Sequence, residues 1–234
     1  QKESWIWMSN KGIRIYPSIL TADFSRLGEE IIAIENAGAD GVHLDIMDGQ
    51  FVEPITFGSL IVECVAQITD LPLEIHLMVR EPKRYFSDLV MMGSRTIIVH
   101  LEACDSLGEV IHSLDQFDVM KAVAINPSTS IRSLEPFLGK IDQAVVMSVE
   151  PGYGGQEFLK GTLNKVTALR DIIQNNSLDV DIEVDGGINV ETASLAVSAG
   201  ADMLVAGSAV FNRKFNVCKS MQLLRDTIRE GYGK

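Results

Sequence analysis

His43 and Asp45 stand two residues apart in the run His43-Leu44-Asp45-Ile46-Met47. In a strand, side chains at spacing two share a face, so an imidazole and a carboxylate would stand side by side. His76 lies in a similar run, Glu74-Ile75-His76-Leu77-Met78, and Asp185 ends Glu183-Val184-Asp185 before Gly186-Gly187. Two imidazoles and two carboxylates make a nitrogen and oxygen donor set for one divalent ion, with zinc first and iron, manganese or cobalt as alternatives. The set has no thiolate, unlike most structural zinc sites. A single strand histidine is more often a hydrogen-bonded core residue than a ligand. Shared parity across His43, Asp45, His76 and Asp185 is what favours the metal. Of the remaining histidines, His112 falls in a helical pattern and is expected at the surface. His100, near the end of another strand, is expected to be structural or to sit behind the site.

Three glycine-bearing turns follow three successive strand-like runs: Pro151-Gly152-Tyr153-Gly154-Gly155-Gln156, Gly186-Gly187 and Ala206-Gly207-Ser208. Glycine lets the backbone approach an anion closely and turn its N–H groups toward it. None of these turns contains Lys or Arg. They are expected to form a phosphate cradle of amides; the alternative is that they are only helix caps and tight turns.

Strands are predicted at Ile13–Ile19, Gly41–Met47, Leu73–Met78, Thr96–Leu101, Lys121–Ile125, Gln143–Val149, Val180–Asp185 and Met203–Ala206. Helical patterns lie between them, clearest at Ser25–Ala37 (opened by Ser25, stopped by Gly38), Leu163–Gln174, Glu191–Ala199 and Val217–Glu230. Eight strands, each followed by a helix, predict an α/β fold, a single-domain (β/α)₈ TIM barrel; a doubly wound open sheet is the alternative. Parity puts Leu44, Ile46, Ile75, Leu77, Ile182 and Val184 toward the helices. The opposite set, His43, Asp45, Met47, Glu74, His76, Met78, Asp181, Glu183 and Asp185, then faces the barrel axis. Buried charge is costly unless paired or metal-bound, so this face must be organised by contacts.

Length agrees: 234 residues is close to one such barrel, with residues 1–12 read as an N-terminal extension and 13–234 as the catalytic domain. Gln1–Trp7 are expected to precede a natural start at Met8. A net charge of −12 argues against nucleic acid and anionic membrane as partners, and no apolar run is long enough to span a bilayer. The three cysteines, Cys64, Cys104 and Cys218, are scattered, without C-x-x-C, and are expected as reduced, buried thiols in a cytoplasmic protein.

Together the segments Pro17-Ser18-Ile19-Leu20-Thr21-Ala22-Asp23-Phe24, His43-Leu44-Asp45-Ile46-Met47-Asp48-Gly49, His76-Leu77-Met78-Val79, Asn126-Pro127, Met147 through Gln156, Glu183 through Ile188 and Val205-Ala206-Gly207-Ser208-Ala209 resemble the ribulose-phosphate 3-epimerase family. They occur in order over nearly the whole chain. The resemblance implies a homo-oligomeric isomerase of the pentose phosphate route that epimerises D-ribulose 5-phosphate at C3 through an enediolate. His43, Asp45, His76 and Asp185 match metal ligands, and Asp45 and Asp185 also match the acid/base pair, as proton acceptor and donor respectively. Ser18, Met47, Met78 and Met147 match substrate-contacting residues. Gly154, Gly155, Gly187, Gly207 and Ser208 match the phosphate grip.

One stretch departs. Where the family pattern runs His-Phe-Val-Pro-Asn after Met47-Asp48-Gly49, this chain has Gln50-Phe51-Val52-Glu53-Pro54. The change keeps a second ketose phosphate open, such as D-allulose 6-phosphate. A decarboxylase or aldolase on a similar barrel would need a lysine near the reacting carbon, and none ends strands two, three, six or seven. A binding protein without activity is the third reading, and the intact Asp45 and Asp185 argue against it.

Overall fold

A computed structural model of the chain describes residues 12–232; the expected extension, apart from Gly12, lies outside the described residues. The strands are β1 (Arg14–Pro17), β2 (Val42–Met47), β3 (Leu73–Met78), β4 (Ser94–His100), β5 (Met120–Ile125), β6 (Gln143–Met147), β7 (Asp181–Asp185) and β8 (Met203–Ala206). All pair in parallel, in the order β1-β8-β7-β6-β5-β4-β3-β2. The β1/β2 seam closes through a parallel bridge between Ser18 and His43. It is also pinned by Asp40, whose carboxylate accepts from the Ile15 N–H at 2.8 Å and whose own N–H donates to the Ile15 carbonyl at 3.1 Å. The sheet is therefore a barrel and not an open doubly wound sheet.

Helices α1 (Leu27–Asn36), α2 (Ser59–Ala66), α3 (Phe86–Met91), α4 (Leu107–Leu114), α5 (Leu163–Asn175), α6 (Thr192–Ala199) and α7 (Val217–Tyr232) follow all strands but one. After β5 the chain makes the 3₁₀ turns Ile131–Ser133 and Glu135–Lys140 in place of the expected α-helix. Pro136 supplies no N–H and Gly139 adds backbone freedom, which disfavours a continuous helix there. The first helix also differs from expectation. Asp23, not Ser25, caps the entry, accepting from the Ser25 N–H, and a 3₁₀ turn (Phe24–Arg26) leads into α1. Gly38 stops α1 at φ +75° and Gly200 stops α6 at φ +115°, as expected for a left-handed residue just past a helix end. β4 begins two residues earlier than predicted, with a register irregularity beside Leu73 and Glu74, and gives up Leu101 to a 3₁₀ turn. Cys64 and Cys218 are exposed and Cys104 half-buried, so the expected burial of the thiols does not hold; all three are free.

The strand parity holds. Leu44, Ile46, Ile75, Leu77, Ile182 and Val184 belong to the apolar layer between barrel and helices. A second, separate apolar cluster of Ile98, Ala122, Ala124, Val145 and Met147 lies on the other face of β4 to β6, inside the barrel. Inside the barrel, β4–β6 contribute this apolar patch together with the polar Gln143 and His100, while β2, β3 and β7 bring His43, Asp45, Glu74, His76, Glu183 and Asp185, all buried.

Candidate active site

Register brings the polar residues level: Asp45 pairs with His76 across β2/β3, and Asp185 ends β7. His43 Nε2 lies 3.3 Å from Asp45 Oδ1 and 3.6 Å from Asp185 Oδ2, and His76 Nδ1 lies 3.2 Å from each of those oxygens. The two facing ring nitrogens are 3.3 Å apart. Bonds of 2.0–2.1 Å to a tetrahedral ion would put donors about 3.3–3.4 Å apart, so the spacing fits a metal such as zinc. The four side chains form a buried cluster able to hold a metal ion.

The contacts behind the cluster say the same. His43 Nδ1 sits 2.8 Å from Glu74 Oε1, and a carboxylate only accepts, so a proton is on Nδ1 and Nε2 is left to meet the cation of the cluster, a proton or a metal ion. Burial disfavours a charged His43, yet the Asp45, Glu74 and Asp185 carboxylates together outweigh it and raise that imidazole well above its usual range. Burial likewise opposes charge on His76, and its bonds to Asp185 and Asp45 raise it. Burial would push Asp45 up, but His43 and His76 hold it well below the usual carboxylate range. The centre therefore favours positive charge, as a proton or as a metal ion.

Beneath it, Gln143 Nε2 donates to Glu74 Oε2 at 2.8 Å and to Glu183 Oε2 at 3.0 Å. Burial and the adjoining Glu74 charge push Glu183 well above the usual carboxylate range, which favours its neutral form beside Glu74. Burial opposes charge on Glu74 too, but the bond from His43 holds it ionised.

A pocket opens above the cluster at the C-terminal ends of the strands. It is lined by Ser18, Asp45, Met47, Met78, Met147, Gly154, Gly155, Asp185, Gly187, Gly207 and Ser208, so these expected site residues come together. His43 and His76 do not line it; they lie fully buried behind Asp45 and Asp185. Ser18 Oγ donates to Asp45 Oδ2 at 2.6 Å. Gly187 has φ +61°, and a Cβ there would come within 2.7 Å of the Phe158 backbone nitrogen, so no other residue fits without strain. Thr21 was not anticipated as a site residue. It lines the pocket beside Gly154 and Gly207, and its hydroxyl is buried with no hydrogen-bond partner. The only signal in the sequence was its place in the Pro17–Phe24 segment.

The departing loop is anchored by Asp48, whose Oδ1 accepts from the Gln50 and Phe51 N–H groups while Oδ2 accepts from the Arg80 N–H. It reaches across to the loop after β6, where the Tyr153 hydroxyl lies 3.4 Å from Glu53 Oε2. His100, left open between two roles, is fully buried with Nε2 2.8 Å from His76 Nε2. His112 is exposed, as expected.

A closed parallel barrel with convergent acids and imidazoles at the C-terminal mouth, facing a pocket edged by glycine turns, defines a (β/α)₈-barrel enzyme. The chain belongs to the ribulose-phosphate 3-epimerase family, whose model matches residues 14–211. It is 45% identical over 202 residues to ribulose-phosphate 3-epimerase of Bacillus subtilis, covering 86% of this chain and 93% of that protein. It is 42% identical over 222 residues to ribulose-phosphate 3-epimerase of Methanocaldococcus jannaschii, covering 95% and 94%. Among solved structures, thiamine phosphate pyrophosphorylase from Pyrococcus furiosus superimposes with a TM-score of 0.61 at 18% identity, covering 96% of this chain and 98% of that one, a likeness of fold alone. Among the described residues, no helix is long and apolar enough to cross a membrane.

Proposed function

We propose that the protein interconverts D-ribulose 5-phosphate and D-xylulose 5-phosphate by metal-dependent epimerisation at C3. The observation that carries this reading is that Asp45 and Asp185 belong to the four-residue cluster and also line the pocket. Epimerisation removes the proton next to the C2 carbonyl and returns one to the opposite face, through a planar enediolate. One acid/base group is needed on each face. Asp45 and Asp185 come from β2 and β7, two different parts of the ring, which suits them as acceptor and donor. Ser18 holds Asp45 in place through its 2.6 Å hydrogen bond. Met47, Met78 and Met147 wall the sugar site with adaptable apolar surface. Amides at Gly154, Gly155, Gly187, Gly207 and Ser208, with the unpartnered Thr21 hydroxyl, serve to bind the phosphate and orient C3 between the two acids. His43, Asp45, His76 and Asp185 would hold one divalent ion, zinc by preference, which when bound offsets the negative charge developing on the substrate. We also infer a homo-oligomer, with residues 13–234 as the one catalytic domain.

The test is NMR in D₂O with D-ribulose 5-phosphate and metal-loaded or chelator-stripped protein. Metal-dependent appearance of C3-deuterated D-xylulose 5-phosphate is expected. Equal exchange in fully stripped protein would remove the metal from the reaction. A second reading, D-allulose 6-phosphate as substrate, rests on the changed loop, whose Glu53–Tyr153 contact across the mouth the family's Pro at position 53 would not make. Faster exchange on the hexulose phosphate would select it.

A further inference from the structure

His76 Nε2 and His100 Nε2 face each other at 2.8 Å in rings stacked at 12°. Two ring nitrogens at that distance share one proton, so one donates and the other accepts. His100 Nδ1 points to Glu102 Oε2 at 3.4 Å. Glu102 is held in turn by the loop after β5, accepting from the Asn126 N–H at 2.8 Å and from the Thr129 hydroxyl. A carboxylate accepts, so it places the His100 proton on Nδ1 and leaves His100 Nε2 as the acceptor. His76 must then donate from Nε2, which leaves its Nδ1, 3.2 Å from Asp45 and Asp185, to take the cation of the cluster, a proton or a metal ion. In the opposite arrangement, the His100 Nδ1 lone pair would face the carboxylate and a His76 Nδ1–H would close the cluster to a cation.

We propose that Glu102 and His100 form a positioning relay that sets the tautomer of His76 and thereby the metal affinity of the cluster. The inference rests on the metal reading above. It sets His76 apart from His43, which meets its carboxylate directly. Simple packing of two buried rings would need neither the ring-nitrogen contact nor a tethered carboxylate. Outer partners of ligating histidines commonly carry about 10–100-fold in metal affinity.

Co²⁺ affinity, measured by chelator competition on stripped protein, tests the relay beside the thermal midpoint of the metal-free form. His100→Phe keeps the ring and removes the acceptor; His100→Gln restores an acceptor oxygen; Glu102→Ala removes the carboxylate from a less buried position. Expected are Co²⁺ affinities about 10–100-fold weaker in His100→Phe and Glu102→Ala and substantial recovery in His100→Gln, with the metal-free midpoint little changed in the two His100 variants and lowered in Glu102→Ala, which also frees the Asn126 N–H and the Thr129 hydroxyl. Wild-type affinity in either loss variant would overturn the relay while leaving the metal reading intact. So would weakening that His100→Gln fails to restore and that follows a fall in the metal-free midpoint. A wild-type protein that binds no Co²⁺ would overturn both. If His100→Phe does not fold, Glu102→Ala decides alone.

Discussion

Asp45 and Asp185 differ from Glu74 and Glu183 in depth more than in chemistry. The aspartates are 5% and 8% exposed and reach the pocket, whereas the glutamates one layer down are at 0%. At the mouth, carboxylates face imidazole nitrogens and the space where a substrate would lie. In the lower layer, the acids meet only protein: Glu74 ionised against His43, Glu183 protonated against Glu74, and Gln143 donating to both. Depth thus separates acids that border the pocket from acids that meet only protein.

The widest separation between the layers is expected in Asp185→Asn, with turnover down by about 10²–10⁴-fold and the fold retained. Near-wild-type turnover in folded protein would break the two-acid mechanism. Next comes the metal itself. At a thousandfold excess over its dissociation constant, a bound ion stabilises by about 4 kcal/mol, or about 8–16 °C in a chain of this size. Scanning calorimetry before and after chelation would show it, and identical midpoints would count against a metal in the cluster.

The lower layer predicts an inequality. Glu74→Gln replaces a charge-assisted bond to His43 and is expected to cost about 1.5–3 kcal/mol, because Glu74 is the ionised member. Glu183→Gln replaces a group that is already neutral, and its urea-unfolding cost should stay below about 1 kcal/mol. Equal costs would show that the charge is not assigned as described.

The smallest effect concerns acid stability. Burial opposes charge on Glu102, but bonds from His100, Thr129 and the Asn126 N–H hold it at about 2, against an ordinary value of 4.5. Its stabilisation is complete above about pH 4.5 and is lost as pH falls toward 2. In metal-free protein, Glu102→Gln should flatten the decline in midpoint over that interval. An unchanged slope would detach Glu102 from the acid transition.

Period and spacing in the chain were enough to define eight strands, their inward and outward faces and the four cluster residues. Alternation of period two is local, and a strand's faces follow from it whatever the neighbours are. The glycine turns were legible because a left-handed backbone has few residues that tolerate it. Other features depended on the partners that meet in space. Closure through Ser18 and His43, the 3₁₀ path after β5, the orphaned Thr21 hydroxyl and the exposure of Cys64 and Cys218 are of this kind. His100 shows the limit most clearly. Its type and strand position left two roles open. Only the parallel register of β3 and β4, with the loop after β5 bringing Glu102 to its other nitrogen, put it behind His76. A hydrogen bond between residues 24 apart is decided by the fold, because nothing in either strand alone determines which ring nitrogen the other will meet.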